Sequence, residues 1–256
     1  IIKDKKPLFF VAENVSGILH NRNKEAFNNI LKEFKDIGYN VKFNLLNAKN
    51  YNVPQDRKRV FIVGFINNID FNFPKEKENI LTLQDTIFDL KDTAIPYNKE
   101  EQDRFNHEYY TGGFSTIFMS RNRVRSWDEV SFTIQAGGRH APIHPQAPKM
   151  NFIEQNIREF VKGKEDLYRR LSVRECARIQ TFPDTFSFEY NSVVAGYKMI
   201  GNAVPVRMGK VLAQKIYSDL EEIKVVKKAI KQSVVTEVNG NVVLEKMNEI
   251  IKSISA

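Results

Sequence analysis

Apolar residues at the start of the chain form first a continuous run and then a helical repeat. The run Leu8–Ala12 ends abruptly at Glu13 and predicts a strand buried on both faces. The apolar residues that follow are spaced for an amphipathic helix, between an N-cap at Asn23 and a terminating Gly38: Phe27, Ile30, Leu31, Phe34 and Ile37.

Two further apolar runs continue this pattern. Val41–Leu46 and Arg59–Phe65 predict strands, and the polar stretch between them contains Pro54. Because strands alternate with a helix, we expect the sheet of an α/β protein in residues 1–66.

The alternation is lost from about Asn67 to Lys164, where Asn, Lys, Asp and Pro are interspersed with aromatic residues. We expect a separate, irregular module, assigned to 67–170, with a strand at Phe132–Gln135 and a turn at Ala136–Arg139. A module of this size needs an aromatic core, to which we assign Tyr110, Trp127 and Phe132.

Helical regularity returns in residues 171–220. Ser172 and Glu175 have the spacing of a capping box, which predicts a helix through Ile179. A second helix is expected from Pro205 through Leu220, since proline is tolerated in a first turn.

The remaining residues, 221–256, are expected to form an appendage. It begins with a lysine-rich helical stretch. A hairpin turn is predicted at Asn239-Gly240, between Val234-Val235 and Val242-Val243, and a last amphipathic piece contains Met247, Ile250, Ile251 and Ile254.

The charge balance suits a polyanionic partner. Lys and Arg number 39 against 31 Asp and Glu, which gives a net charge of +8. Cations that contact phosphates release condensed counterions, although a merely solvated basic surface explains the charge equally well. Four arginines of the irregular module are candidates for reading guanine edges or contacting phosphates: Arg121, Arg123, Arg125 and Arg139.

Several classes of site and location are excluded by composition. The single cysteine, Cys176, rules out a disulfide framework and a multi-cysteine zinc site. His140 and His144 have helical spacing, but Pro142 and Pro145 oppose a helix there, so we expect no metal site. The apolar runs are too short to cross a bilayer, so we expect a cytoplasmic protein that does not associate with a membrane.

Polar residues flank the predicted sheet. Glu13 follows the first strand, where polar groups line the ligand crevice of an open sheet. Gln55, Arg57 and Arg59 alternate, so in an extended segment they share one face and can converge on Glu13. Such a set can hold a polar heterocycle and a phosphate. Taken alone, a solvated carboxylate and an edge strand decorated with cations remain open alternatives.

Four sequence blocks in order carry a resemblance to a known family: ENV at 13–15, QDRKRVFIVGF at 55–65, RECARIQTFPD at 174–184 and GNAVP at 201–205. They resemble the later blocks of the DNA cytosine-5 methyltransferases. Residues 109–148 are similar to the target-recognition segment of the HaeIII-type enzymes, whose target is GGCC. The resemblance covers roughly 1–218 and implies the C-terminal part of a Rossmann-like methyltransferase sheet, plus an irregular target-recognition domain.

The resemblance also implies a reaction on double-stranded DNA, within a restriction-modification system. S-adenosylmethionine donates the methyl group to carbon 5 of a cytosine flipped out of the duplex. Glu13 would hydrogen-bond or protonate the ring nitrogen, Arg59 would bind the carbonyl oxygen, and Arg57 would help to position the adjoining backbone. Asn202 and Ala203 would contact the cofactor.

The other matched residues are given supporting roles by the same resemblance. Asn14 and Gln55 would be structural, and Arg174 and Glu175 would organise the recognition region. Gln135 would contact DNA together with the four arginines.

Two blocks of the family have no counterpart in the sequence: a Gly-rich cofactor block and a Pro-Cys nucleophile block. Cys176 lacks the preceding proline and is expected to be a small buried residue. We therefore expect a subunit of a split enzyme, a fragment or an inactive relic, and an N-terminal companion polypeptide that carries the nucleophile. A non-catalytic, sequence-specific DNA-binding module is the alternative. An endonuclease is disfavoured because clustered metal-binding carboxylates are not evident.

Overall fold

The chain divides into two compact units. The computed structural model describes residues 1–66, 69–100 and 103–236, with side chains up to 222. The first unit comprises Ile1–Leu46, Lys58–Lys75 and the segment that begins at Val211; the second comprises Asn47–Arg57 and Glu76–Lys210. The irregular module and the helices that follow it therefore belong largely to one unit.

The first unit is built on a three-stranded sheet. In chain order its elements are α1 (Ile2–Lys5), β1 (Phe9–Val15), α2 (Lys24–Asp36), β2 (Asn40–Asn47) and β3 (Lys58–Phe65). The strand order is β1-β3-β2, which puts β3 in the centre. β1 and β3 are antiparallel, with Phe9 opposite Phe65 and Val15 opposite Arg59.

The regular elements of the second unit that precede Val173 are all short. They are α3 (Leu83–Ile87), the parallel pair β4 (Ile95–Pro96) and β5 (Glu108–Tyr109), and the antiparallel pair β6 (Asn151–Glu154) and β7 (Ile157–Glu159). α4 (Val173–Ile179) and α5 (Val193–Asn202) follow, and α6 (Val206–Thr236) begins here and continues in the first unit.

Single 3-10 turns connect many of these elements. Their bounds are Ser16–Leu19, Asn21–Asn23, Ala48–Tyr51, Phe88–Leu90, Phe118–Ser120, Gly138–His140 and Glu165–Leu167. Most lie next to loops, which fits a chain that bends often and builds few long ladders.

Each face of the central strand packs against a different part of the first unit. Phe10, Val60 and Ile62 meet Phe27 and Tyr39 on the α2 side. The opposite face carries Val63 and Phe65, which pack with Phe71 and with Ile216 of α6. The period-two alternation of β3 thus supplies two small cores from one strand.

Two apolar clusters are seen among the described residues of the second unit. One packs the helices together: Leu83, Ile87, Val173, Ala177, Ile179, Val193, Tyr197 and Ile200 belong to it, and Tyr110 and Trp127 cover its side. The other is formed by Phe118, Val124, Ile143, Ala147, Met150 and Tyr168. The prediction that Tyr110 and Trp127 serve a core is therefore confirmed.

Most predicted elements are present. The three strands and α2 lie where the apolar pattern puts them, and the Ser172–Glu175 capping box is complete at the start of α4. α6 starts directly after Pro205. Asn23 occupies the N-cap of α2, but its side chain donates to the Gly17 carbonyl and caps nothing.

Three predictions are corrected, and one helix is found that the apolar pattern did not predict. β1 runs on to Val15, and only Phe10 in it is buried, because β1 has a neighbour on one side alone among the described strands. Phe132–Gln135 is not part of a ladder. Val234-Val235 lies in α6 instead of in a hairpin strand, and α5 was not predicted. The turn at Asn239-Gly240 and the residues after it lie outside the described part of the chain.

The described residues were compared with the length and apolar character of a membrane-spanning helix. None of their helices carries an apolar stretch of the length that a bilayer crossing requires.

Gly64 provides a first prediction, because it makes room for a ring on the neighbouring strand. A Cβ at Gly64 would lie 2.2 Å from a ring carbon of Phe10, which is directly opposite in the ladder. Gly64→Ala should therefore lower the free energy of unfolding by roughly 1–3 kcal/mol, as overpacking of a core does. Urea denaturation measures this loss.

Gly209→Ala is the matched control. A Cβ at Gly209 would meet nothing within 4 Å, and the residue lies in α6. Its replacement should leave stability unchanged or raise it by up to about 1 kcal/mol. Equal behaviour of the two variants would contradict the packing assigned to Phe10.

Candidate active site

Glu13 and Arg59 form an ion pair on one face of the first unit's sheet. Glu13 lies opposite Phe61 and Arg59 opposite Val15, so the two side chains are diagonal neighbours on the same face. Arg59 Nε lies 2.8 Å from Glu13 Oε1, and the side chains are 15% and 28% exposed. Glu13 lies within β1 and not after its end, but the strand register still brings the two residues together.

The pair keeps hydrogen-bonding capacity for a ligand. Arg59 Nη1 donates to the Lys58 carbonyl at 2.8 Å. Nη2 of Arg59 and Oε2 of Glu13 have no partner among the described residues. Burial lowers the pKa of the Arg59 guanidinium, and Glu13 only partly offsets this. An acceptor on a ligand would thus compensate a cation that has already lost much of its water.

Asn14 acts on the backbone next to Glu13. Its side-chain oxygen accepts a hydrogen bond from the Val15 amide at 2.8 Å, and the residue is exposed. This contact constrains the end of β1 directly after Glu13.

Gln55 and Arg57 precede β3, and their side chains hydrogen-bond to residues of the second unit; that they share one face with Arg59 stays a prediction. Their segment pairs irregularly with residues 131–134: the Asp56 amide donates to the Ser131 carbonyl at 2.9 Å. Gln55 is fully buried, and its Oε1 accepts from the Ile134 amide at 2.9 Å.

The Arg57 guanidinium binds carbonyls of two separate loops. Nη1 donates to the Ile134 carbonyl at 3.0 Å. Nη2 donates to Gly201 at 2.8 Å and to Ala203 at 3.2 Å. The side chain is buried, with 2% exposed. Together Gln55 and Arg57 satisfy both backbone groups of Ile134, so this residue needs no neighbouring strand to pair its backbone.

The loop between α5 and α6 is held from a second side. Gln180 Nε2 donates to the Ile200 carbonyl at 3.0 Å, and the Gln180 carbonyl accepts from the Val206 amide at 3.0 Å. Ala203 donates its amide to Ile200 at 3.1 Å. Asn202, at the end of α5, stays exposed. The turn therefore joins two helices, and the Asn202 side chain projects from a fixed backbone.

The four candidate arginines of the irregular module differ in their surroundings. Arg123 donates to the Phe118 and Ile117 carbonyls at 2.8 and 3.2 Å. Arg125 pairs with Glu129 at 2.7 Å and lies over the Phe132 ring.

Arg121 and Arg139, by contrast, are exposed, and neither has a hydrogen-bond or ion-pair partner in the described part of the chain. Gln135 is exposed as well. These three side chains are therefore the most available to an external partner, whereas Arg123 and Arg125 also serve the protein's own packing.

Glu175 is the centre of a buried polar network. Its carboxylate accepts two hydrogen bonds from Arg169, at 2.7 and 2.8 Å, and one from the Ser172 amide at 2.8 Å. Burial alone would raise the pKa of this fully buried carboxyl, but Arg169 holds that pKa below its ordinary value. The group is an ionised structural cap, in keeping with a supporting role.

Two buried histidines border this network in neutral form. His144 Nδ1 accepts from the Gln146 amide, so its proton is on Nε2, 3.4 Å from Glu175 Oε1. Burial lowers the pKa of His144 to about 4. Burial also lowers the pKa of His107, whose Nε2 donates to the Leu90 carbonyl at 3.1 Å.

Two more buried arginines tie loops to the helices. Arg174 donates to the Phe105 carbonyl at 2.8 Å and to the Phe186 carbonyl at 3.0 Å. Arg170, which sequence reasoning did not single out, donates to Gly112 at 2.7 Å and to Gly113 at 3.1 Å. The carbonyl partners of Arg170 are almost sixty residues away, so no local pattern predicts them. In the sequence, only the position of Arg170 next to the capping box draws attention to it.

Cys176 is fully buried, as predicted. Burial raises the pKa of its thiol well above the ordinary value. Among the described residues no group of three or more His, Cys, Asp or Glu is placed to hold a metal ion.

The sequence matches a known protein family over most of its length. The model of the C-5 cytosine-specific DNA methylase family matches residues 1–218. The chain belongs to this family.

Curated relatives support this assignment over most of the methylase chain. Type II methyltransferase M.FnuDI of Fusobacterium nucleatum is 54% identical over 243 residues, which cover 91% of this chain and 71% of the relative. M.MthTI of Methanothermobacter thermautotrophicus is 54% identical over 230 residues, covering 87% and 70%. The methylase is thus a DNA cytosine-5 methyltransferase of the Type II group.

Solved structures share the fold at low identity. A DNA modification methyltransferase encoded within an E. coli prophage has a TM-score of 0.60 at 18% identity, covering 86% of this chain and 72% of that one. S. pombe Dnmt2 has a TM-score of 0.53 at 17% identity, covering 84% and 68%. The predicted class, a methyltransferase α/β fold, is confirmed.

The buried histidines predict how the stability of the methylase depends on pH. An unfolded histidine takes up its proton near pH 6.5, whereas folded His144 resists protonation down to about pH 4. Stability should therefore fall as the pH drops below 6.5, by on the order of 2 kcal/mol from His144 by pH 5. Urea midpoints between pH 7 and 5 measure this slope, and His144→Gln should reduce it.

His140→Gln is the control, because His140 is exposed. It should leave the slope unchanged. A slope that is insensitive to His144→Gln would show that His144 does not bind its proton differently in the folded and unfolded chain.

Proposed function

We propose that this methyltransferase transfers a methyl group from S-adenosylmethionine to carbon 5 of a cytosine in a short duplex site, with Glu13 and Arg59 holding the flipped base. The observation that carries the proposal is the 2.8 Å ion pair, in which one carboxylate oxygen and one guanidinium nitrogen have no partner among the described residues. The proposed setting is a restriction-modification system, as for the Type II relatives.

The pair matches one edge of cytosine. The Glu13 carboxyl group would protonate the ring nitrogen or form a hydrogen bond with it. Arg59 would donate to the adjacent carbonyl oxygen. Positive charge at that ring nitrogen makes carbon 6 a better electrophile for a thiolate. The partly buried position of both side chains strengthens these contacts, because water competes less for them.

Cys176 does not fit the role of nucleophile. Its thiol is fully buried and its pKa is raised, so the reactive thiolate is scarce and inaccessible. The thiolate is therefore assigned to a source other than these 256 residues, and we propose an N-terminal companion polypeptide as that source.

The cofactor contact is assigned to the loop after α5. When bound, S-adenosylmethionine supplies an electrophilic methyl group. The Asn202 side chain offers an amide donor and acceptor from a fixed backbone, which suits the charged amino-acid end of the cofactor. Both backbone groups of Ala203 are engaged inside the protein, so Ala203 would contribute only its methyl surface.

The DNA target is assigned as GGCC, from the resemblance of residues 109–148 to HaeIII-type recognition segments. Arg121 and Arg139 are the side chains most available for guanine edges or phosphates, together with Gln135. Arg123 would use the nitrogen that its carbonyl contacts leave free, and Arg125 would contact phosphate less directly because Glu129 holds it.

Replacement of Glu13 tests the chemistry. In the complete enzyme, meaning this chain together with the polypeptide that carries the thiolate, Glu13→Gln should lower kcat by roughly 10²–10⁴-fold, since an amide cannot donate a proton to the ring. Transfer of labelled methyl groups to GGCC-containing duplex measures kcat. DNA affinity should change less than about threefold, because the DNA-contacting arginines are intact.

Glu25→Gln is the matched control, since Glu25 is an exposed carboxylate of the same unit. Its activity should equal that of the unaltered enzyme. Activity of Glu13→Gln within a factor of three of the control would exclude Glu13 from the chemistry.

The exposed arginines predict how DNA affinity responds to salt. Arg121→Ala and Arg139→Ala should each weaken GGCC-duplex binding. If an arginine reads a base, its loss costs about 1–3 kcal/mol and relaxes specificity at that base pair. If it contacts phosphate, the slope of log affinity against log salt falls by about 0.9 and all sequences are affected alike. Fluorescence anisotropy at several salt concentrations separates the two cases.

Arg104→Ala serves as control, because Arg104 is an exposed arginine of the same unit outside the recognition arginines. It should not change affinity for the site. Unchanged affinity in Arg121→Ala and Arg139→Ala alike would remove both residues from the proposed interface.

A further inference from the structure

Arg57 belongs to the same sequence block, 55–65, as Arg59, but its side chain is buried and binds the protein's own backbone. Three hydrogen bonds of its guanidinium go to backbone carbonyls of its own unit, and 2% of the side chain is exposed. One carbonyl belongs to the segment that leads to Gln135 and Arg139. The other two belong to the residues on either side of Asn202, at the end of α5.

We propose that Arg57 is a positioning residue that fixes the DNA-recognition loop and the cofactor loop in one arrangement, so that its loss weakens binding of DNA and of S-adenosylmethionine together. This inference rests on the function proposed above, because it assigns these loops to DNA and to the cofactor.

The shape of the guanidinium explains why arginine is needed. Nη1 reaches the Ile134 carbonyl at 3.0 Å while Nη2 reaches the Gly201 carbonyl at 2.8 Å. The planar group holds its two terminal nitrogens at a fixed separation and so sets the distance between the two loops. A lysine has one nitrogen and would bind one loop or the other.

Backbone packing reinforces the same arrangement independently of Arg57. A Cβ at Gly201 would lie 2.4 Å from the carbonyl carbon and oxygen of Gln135. A Cβ at Gly138 would lie 2.8 Å from the ring of Tyr197 in α5. Two glycines thus let α5 and the 135–138 loop approach at backbone distance, and a change in one loop is passed to the other.

The experiment compares two buried arginines in the complete enzyme. Arg57→Lys should raise the Kd for GGCC duplex and the Kd for S-adenosylmethionine, each by at least about tenfold, as expected for lost hydrogen bonds to a buried cation. Arg170→Lys is the matched control: Arg170 is equally buried and also binds several carbonyls, but those belong to residues 110–113 and none to the cofactor loop.

Arg170→Lys should therefore weaken DNA binding and leave the Kd for S-adenosylmethionine within about twofold of the unaltered enzyme. Isothermal calorimetry gives the cofactor Kd and anisotropy the DNA Kd. A normal cofactor Kd in Arg57→Lys would overturn the inference, as would an equal rise of the cofactor Kd in both variants, since that pattern indicates general destabilisation.

Gly201→Ala decides the matter if Arg57→Lys does not fold. It pushes the two loops apart while Arg57 is retained, so it should raise both dissociation constants; a change in only one of them would count against the coupling. Failure of the proposed function has a different signature: the unaltered enzyme would itself show no cofactor binding or no methyl transfer.

Discussion

Hydrogen bonds from buried arginines to backbone carbonyls hold the second unit together. A segment with few ladders must still satisfy its buried carbonyl groups, and an unpaired one costs about as much as a lost hydrogen bond. Arg57, Arg170 and Arg174 are among the largest fully buried side chains, and each donates to carbonyls of two or more residues. One guanidinium offers five donors in a plane, so it can do for several loop carbonyls what a neighbouring strand does in a sheet.

The first unit depends on a different constraint. There the ladder between β1 and β3 satisfies the backbone, and its register decides which side chains meet. Glu13 and Arg59 become diagonal neighbours because the strands are antiparallel and side chains alternate. A slip of one residue would put them on opposite faces. The packing of Phe10 against Gly64 fixes that register, so the core and the candidate site depend on the same alignment.

This difference explains what the sequence could predict. The strands, α2 and the capping box follow from local periodicity, and they are present. The meeting of Glu13 with Arg59 follows from the antiparallel return of the chain. The role of Arg57 does not follow, because its partners lie 77 and 144 positions away and no periodic pattern relates them. The same holds for Arg170. Phe132–Gln135 has the composition of a strand, yet its partners are the side chains of Gln55 and Arg57. α5, by contrast, does have local signals, because Ser192 caps it and Val193, Tyr197 and Ile200 have helical spacing.

A count of arginines therefore says little about contacts with DNA in this family member. Burial lowers the pKa of Arg123, Arg170 and Arg174, but arginine keeps its proton at any ordinary pH, so a buried arginine must be given acceptors. Loop carbonyls supply them here. Where no such acceptor is found in the described part of the chain, as at Arg121 and Arg139, the full set of donors is left for the proposed contacts with guanine or phosphate. The basic charge of the chain is thus divided between organising its loops and the proposed contacts with DNA, and the division follows from which carbonyls the folded loops leave unpaired.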